Sequence, residues 1–125
     1  MHENEISYEI IRAAMEVHKK IGPGLLESAY EAALAYELRE MGFQVATQVP
    51  VPFIYKEVWQ EVGYKIDLLV ENKVVVELKS MEHLNPVHFA QTLTYLRMAD
   101  KKLGLLINFN VKLLKEGIHR IVNNL

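Results

Sequence analysis

Asp67 and the run Glu77-Leu78-Lys79 are residues whose types and spacing promise chemistry. They lie in two segments with the period-two, β-branched character of strands, 63–70 (GYKIDLLV) and 74–80 (VVVELKS), separated by Glu71-Asn72-Lys73. A turn made of those three residues sets Val70 opposite Val74, Leu68 opposite Val76 and Ile66 opposite Leu78. One side of the hairpin is then wholly aliphatic, as a buried sheet face requires. On the other side Asp67 falls opposite Glu77, Leu69 opposite Val75 and Lys65 opposite Lys79. A shorter, two-residue turn scrambles both faces, so the hydrophobic pattern selects this register. Directly opposed residues have Cβ atoms about 4.5–5.5 Å apart. Two carboxylates that close repel unless a proton or a cation lies between them, and a hard divalent ion such as Mg²⁺ suits oxygen ligands. Lys79 projects from the same face as Glu77, placed to orient a nucleophilic water or to stabilise charge on a phosphate. On the hairpin alone the simpler reading is a solvated ladder in which Lys65 and Lys79 neutralise the acids.

The elements that must hold these residues are legible from periodicity. Residues 4–21 read as an amphipathic helix with Ile6, Ile10, Ala14, Val17 and Ile21 on one stripe, ended by Gly22-Pro23-Gly24. A second helix is expected over about 25–41, with Leu26, Tyr30, Ala33, Leu34, Leu38 and Met41 on its apolar stripe and Gly42 as its stop. Segments 43–49 and 51–59 read as strands, with Pro50 and Pro52 marking an edge or a bend. Asn85-Pro86 opens a third helix reaching about Asp100; Leu103 to Asn108 is a short apolar strand, and two more strands are expected near 111–115 and 118–123. The order describes one α/β domain over residues 1–125: a mixed central sheet with an antiparallel hairpin, flanked by helices.

Composition narrows the function classes. The chain has 125 residues, 50% hydrophobic and 24% charged, enough for one core and too ordinary for a disordered protein. Without cysteine there is no disulfide framework, thiol nucleophile or thiolate metal site. No apolar run approaches the roughly 20 residues of a membrane span, and the start MHENEISYEI lacks signal-peptide character, so a cytoplasmic address is expected. A net charge of −2 argues mildly against holding nucleic acid by bulk electrostatics. Lys101, Lys102, Lys112, Lys115 and Arg120 crowd the last quarter, and read most simply as solvated faces.

In order along the chain, Asp67 and then Glu77-Leu78-Lys79 have the form of the PD-(D/E)XK nuclease signature. The following helix carries Gln91 and Tyr95, a Q-x-x-x-Y spacing like the motif downstream of E-x-K in the RecB-like and lambda-exonuclease-like branch. Upstream, Gly24, Glu27 and Tyr30 spell G-x-x-E-x-x-Y. From about His18 to Arg120, including the segment 104–109 (GLLINF), the chain resembles the small GxxExxY family, which is assigned to that nuclease superfamily. The resemblance implies a restriction-endonuclease-like core and a Mg²⁺- or Mn²⁺-dependent phosphodiesterase acting on nucleic acid, DNA ahead of RNA. It implies that Asp67, Glu77 and the Leu78 carbonyl are metal ligands, that Lys79 is the catalytic lysine, and that Glu27 serves the metal through water or as an extra carboxylate. Gln91 would position substrate or water, with Tyr95 packing behind it. The acid expected before Asp67 at hairpin spacing is missing, and Lys65 stands near that place, either to contact phosphate or to neutralise the acids.

Plain alternatives accompany these roles. Glu27 suits the first turn of any helix, Tyr30 reads as core, and Gln91 as an exposed polar residue. His2, His18, His83, His88 and His119 have no zinc-ligand spacing, and Trp59 is either partly buried or a stacking platform for a base. The competing functional readings are a catalytically silent nuclease-fold module that binds a partner or nucleic acid, and a nuclease subunit active only in a complex. A homodimer or partner would extend the small surface, with the edge at 51–59 and the carboxy-terminal strands as contact surfaces.

Overall fold

The computed structural model describes all 125 residues. Helix α1 (Glu3–Ile21) is started by its own side chains: His2 Nδ1 accepts from Asn4 N at 3.0 Å and Glu5 Oε1 from His2 N at 3.1 Å. Its stripe of Ile6, Ile10, Ala13, Ala14 and Val17 is buried, and Gly22, at φ +76°, ends it. Helix α2 (Glu27–Glu40) buries Tyr30, Leu34, Ala35 and Leu38. No helix is long and apolar enough to cross a membrane.

Five strands form the sheet in the order β1 (Val45–Pro50), β4 (Lys65–Val70), β5 (Val74–Lys79), β6 (Leu103–Asn108), β7 (Ile118–Val122). All neighbours are antiparallel except β5 and β6, which are parallel because helix α3 (Pro86–Ala99) crosses between them. Helices α1 and α2 cover one face, where Leu68, Val70, Val74, Val76, Leu78, Leu105 and Ile107 join the main core. The other face meets α3 in a smaller cluster that includes Val75, Leu69, Tyr95 and Leu96. The mixed α/β architecture expected from the sequence is therefore the one observed.

Three local expectations are corrected. The segment 51–59 does not continue as one strand: Lys56 and Glu57 take positive φ (50° and 67°), folding it into a separate hairpin of β2 (Phe53–Tyr55) and β3 (Val58–Gln60). No strand forms at 111–115. Since β7 must return antiparallel beside β6, with Ile118 opposite Ile107, the chain turns over the sheet end, and Leu114 begins a 3₁₀ turn (Leu114–Gly117) that plugs the main core. Only glycine fits at 117, where an added Cβ would lie 2.2 Å from the Asn108 carbonyl oxygen. Finally, Ile66 does not share the face of Leu68 but packs with Val51, Leu69 and Val75.

Candidate active site

The turn at Glu71-Asn72-Lys73 and the register of Val70 with Val74, Leu69 with Val75 and Leu68 with Val76 are as the hydrophobic pattern requires. Beyond Leu68 the two strands part. β4 stays with β1 as far as Lys65 opposite Pro50, while β5 stays with β6 as far as Lys79 opposite Asn108. Lys65 therefore does not face Lys79, and the expected pairing of Ile66 with Leu78 is absent. Each strand follows its outer neighbour, which opens a fork between β4 and β5.

Asp67 and Glu77 sit in that fork and take over the missing ladder bonds. Asp67 N donates to Glu77 Oε2 at 2.9 Å, and Leu78 N donates to Asp67 Oδ2 at 2.8 Å. Each carboxylate thus satisfies a backbone N–H of the opposite strand, which fixes both acids against each other. Glu77 is 7% exposed. Burial first, and the Asp67 charge second, push its carboxyl from the ordinary 4.5 up to about 8, with Lys79 pulling the other way. No salt bridge joins Lys65 or Lys79 to either acid, so the neutralised ladder is not what forms. Lys79 is half-buried at the end of β5, within electrostatic reach of Glu77.

Helix α3 closes one side. Tyr95 is buried, and its hydroxyl is pushed above its ordinary value by burial, then by Glu77, Tyr64 and Asp67. Gln91, one turn earlier on the same side of α3, is half-buried. Asn108 fastens the chain just past Lys79: its Oδ1 accepts from Met81 N at 3.1 Å, and its Nδ2 donates to Met81 O at 2.9 Å. Of the histidines near this end, His88 accepts from Asn85 N at 3.0 Å through Nδ1, and His83 is exposed.

The opposite side is the start of α2. The Tyr30 hydroxyl donates to Gly22 O at 2.6 Å and accepts from Leu25 N at 3.2 Å, while its ring stacks on Phe109 at 4.4 Å. Ser80 Oγ donates to Leu25 O at 2.5 Å, tying this bend to the chain just after β5. Glu27 opens α2, exposed and without a hydrogen bond. One turn on, half-buried Glu31 accepts from Gln48 Nε2 at 2.5 Å, and the same amide reaches Asp67 Oδ1 at 3.3 Å. Neither Glu31 nor Gln48 belongs to a motif; the one signal for Glu31 is its position four residues after Glu27, on the same side of a helix.

A family model described as the PD-(D/E)XK nuclease superfamily matches residues 4–121. The chain belongs to that superfamily. No curated protein and no solved structure matches it. For a PD-(D/E)XK protein the five-stranded mixed sheet flanked by helices is the restriction-endonuclease-like core. Proteins of this superfamily generally use divalent metal ions. The fork fits such an ion in part: it buries the Glu77 carboxyl beside the Asp67 charge, a repulsion that a proton or a cation relieves. No three His, Asp or Glu side chains converge tightly enough to hold an ion unaided.

Proposed function

We propose that this protein hydrolyses phosphodiester bonds of nucleic acid, DNA ahead of RNA, as a Mg²⁺- or Mn²⁺-dependent nuclease of the GxxExxY type within the RecB-like branch. The observation that carries the reading is the pair Asp67 and Glu77, locked together in the fork with Glu77 pushed up to about 8. Asp67, Glu77 and the Leu78 carbonyl would hold the ion, with Glu27 serving it through water. When bound, the ion supplies a Lewis acid for the phosphate and lowers the pKa of a bound water. Lys79 steadies charge developing on the phosphate or orients the attacking water. Gln91 positions substrate or that water, Tyr95 backs it from the core of α3, and Lys65 contacts phosphate at the mouth. Residues 1–125 act as one domain, and the cytoplasm is its place of work.

A second version of this reading is favoured by charge. The net charge is −2, and Lys73, Lys101 and Arg120 are engaged with Met1, Asn72 and Asn4 of the same chain. A homodimer or a partner protein would then supply the basic channel.

The test is cleavage of labelled single- and double-stranded DNA and RNA in Mn²⁺ by the wild type and by Asp67→Asn. Wild-type cleavage should fall in the variant by more than the roughly 100-fold that loss of an outer-shell partner costs. Equal cleavage by both would remove Asp67 from the site. No cleavage by either would shift the reading to the partner-dependent form or to a silent nuclease-fold module.

A further inference from the structure

Gln48 is strained, and no packing of its own explains why. Its φ is +52° in the body of edge strand β1, a region that side chains other than Gly, Asn and Asp seldom enter. The residue is exposed, so burial does not hold it there. Pairing of β1 with β4 sets Thr47 opposite Leu68 and Val49 opposite Ile66, and omits the step between, where Gln48 would face Asp67. Face alternation on β4 fails at the same point, Leu68 and Ile66 joining different clusters. The side chain freed by this kink donates to Glu31 Oε1 and Asp67 Oδ1, at 2.5 and 3.3 Å. Both partners are acceptors, so one amide nitrogen uses its two protons to bridge two carboxylates.

Strain of this kind persists where the surroundings over-determine it, and it gathers at functional sites. We propose that Gln48 is a positioning residue that aims Asp67, with Glu31 as the anchor that holds the Gln48 amide in place. The inference rests on the nuclease reading and deepens it. Asp67 is then held at both oxygens, by Leu78 N on Oδ2 and by Gln48 on Oδ1. Without the amide, Glu31 and Asp67 meet with like charge and Asp67 is free to turn. Glu31 is the α2 carboxylate that the hydrogen bonds connect to the fork; Glu27 has no such link.

The test uses Gln48→Gly and Gln48→Asn, since both residues are at ease at positive φ and neither reaches the carboxylates. Thermal unfolding of the metal-free protein and Mn²⁺ affinity by titration calorimetry are measured for these, for Glu31→Gln and for Asp67→Asn. The expected result is a Tm equal to or above wild type in both Gln48 variants, with Mn²⁺ Kd raised about tenfold or more. Glu31→Gln should weaken binding in the same direction. If the wild type binds Mn²⁺, Asp67→Asn does not, and the Gln48 variants bind like wild type, the nuclease reading stands and this inference falls. Affinity that drops only together with Tm assigns Gln48 to the fold alone and overturns it. A wild type that binds no Mn²⁺ removes the nuclease reading, and the inference with it.

Discussion

Glu77 shows most plainly what the fork does to a side chain. It is taken out of water beside Asp67, and its carboxyl rises from 4.5 to about 8. The folded chain therefore keeps a proton that the unfolded chain releases near 4.5, and between these values the folded state binds more protons. Its contribution to stability is complete below about 4.5 and is lost as pH climbs through about 8. For the metal-free protein we expect Tm to fall from pH 5 to pH 9, by an amount reflecting a few kcal/mol, and Glu77→Gln to flatten that dependence. Mn²⁺ added at pH 8 should restore the wild type and leave the variant unmoved, because a cation replaces the proton between the acids. Calorimetric scans across pH decide it; a pH-independent wild type would mean that Glu77 is not buried beside a charged Asp67. The sequence placed the two acids together, since a period-two pattern fixes register. It did not show how they touch, because each bonds to the other strand's backbone only where the ladder has ended.

At the scale of elements, the bend before α2 does more for the site than its residues suggest singly. Gly24 takes φ +100°, and Tyr30 closes the bend by bonding Gly22 O and Leu25 N from a fully buried ring. Ser80 then fastens Leu25 to the end of β5. The G-x-x-E-x-x-Y pattern is, in physical terms, a clasp that sets the first turn of α2 beside the fork. Tyr30→Phe keeps the stacked ring but orphans two backbone groups, and should cost about 1–3 kcal/mol by chemical denaturation. Under the nuclease reading it should also lower cleavage at temperatures where the variant is fully folded. Full stability in the variant would show that the clasp is dispensable. Tyr30 was legible as core from its place on the helical stripe, whereas its hydroxyl contacts were not, because they depend on how the loop folds back.

For the whole molecule, charge and shape set the manner of binding. Under the nuclease reading, a net charge of −2, with Lys73, Lys101 and Arg120 bonded to the chain itself, leads us to expect few phosphate contacts. Binding of DNA by the Asp67→Asn variant, followed by fluorescence anisotropy, should be weak. Its log–log salt slope should lie near −1 to −2, as expected for one or two phosphate contacts at about −0.9 each. A slope of about −5 or steeper would reveal a basic surface, supplied by a second copy in the absence of other proteins. The exposed hairpin of β2 and β3, carrying Ile54, Tyr55, Val58 and Trp59, and the outer strand β7 are the surfaces open to such a copy.

What the sequence determined by itself is what local periodicity encodes: three helices, the β4–β5 turn and its register as far as Leu68 and Val76, the strand at 103–108, and the acids with Lys79 near the end of one hairpin. Near neighbours along the chain suffice for these, because side-chain alternation and helical stripes are local properties. The tertiary structure alone decided where β4 and β5 part, since each strand had to choose between its hairpin partner and an outer neighbour far away in sequence. That choice opened the fork, turned Ile66 to the second face and put Gln48 at positive φ between Glu31 and Asp67. Two strand pairings compete for the same backbone groups there, and the side chains of Asp67 and Glu77 satisfy the N–H groups that lose their partners.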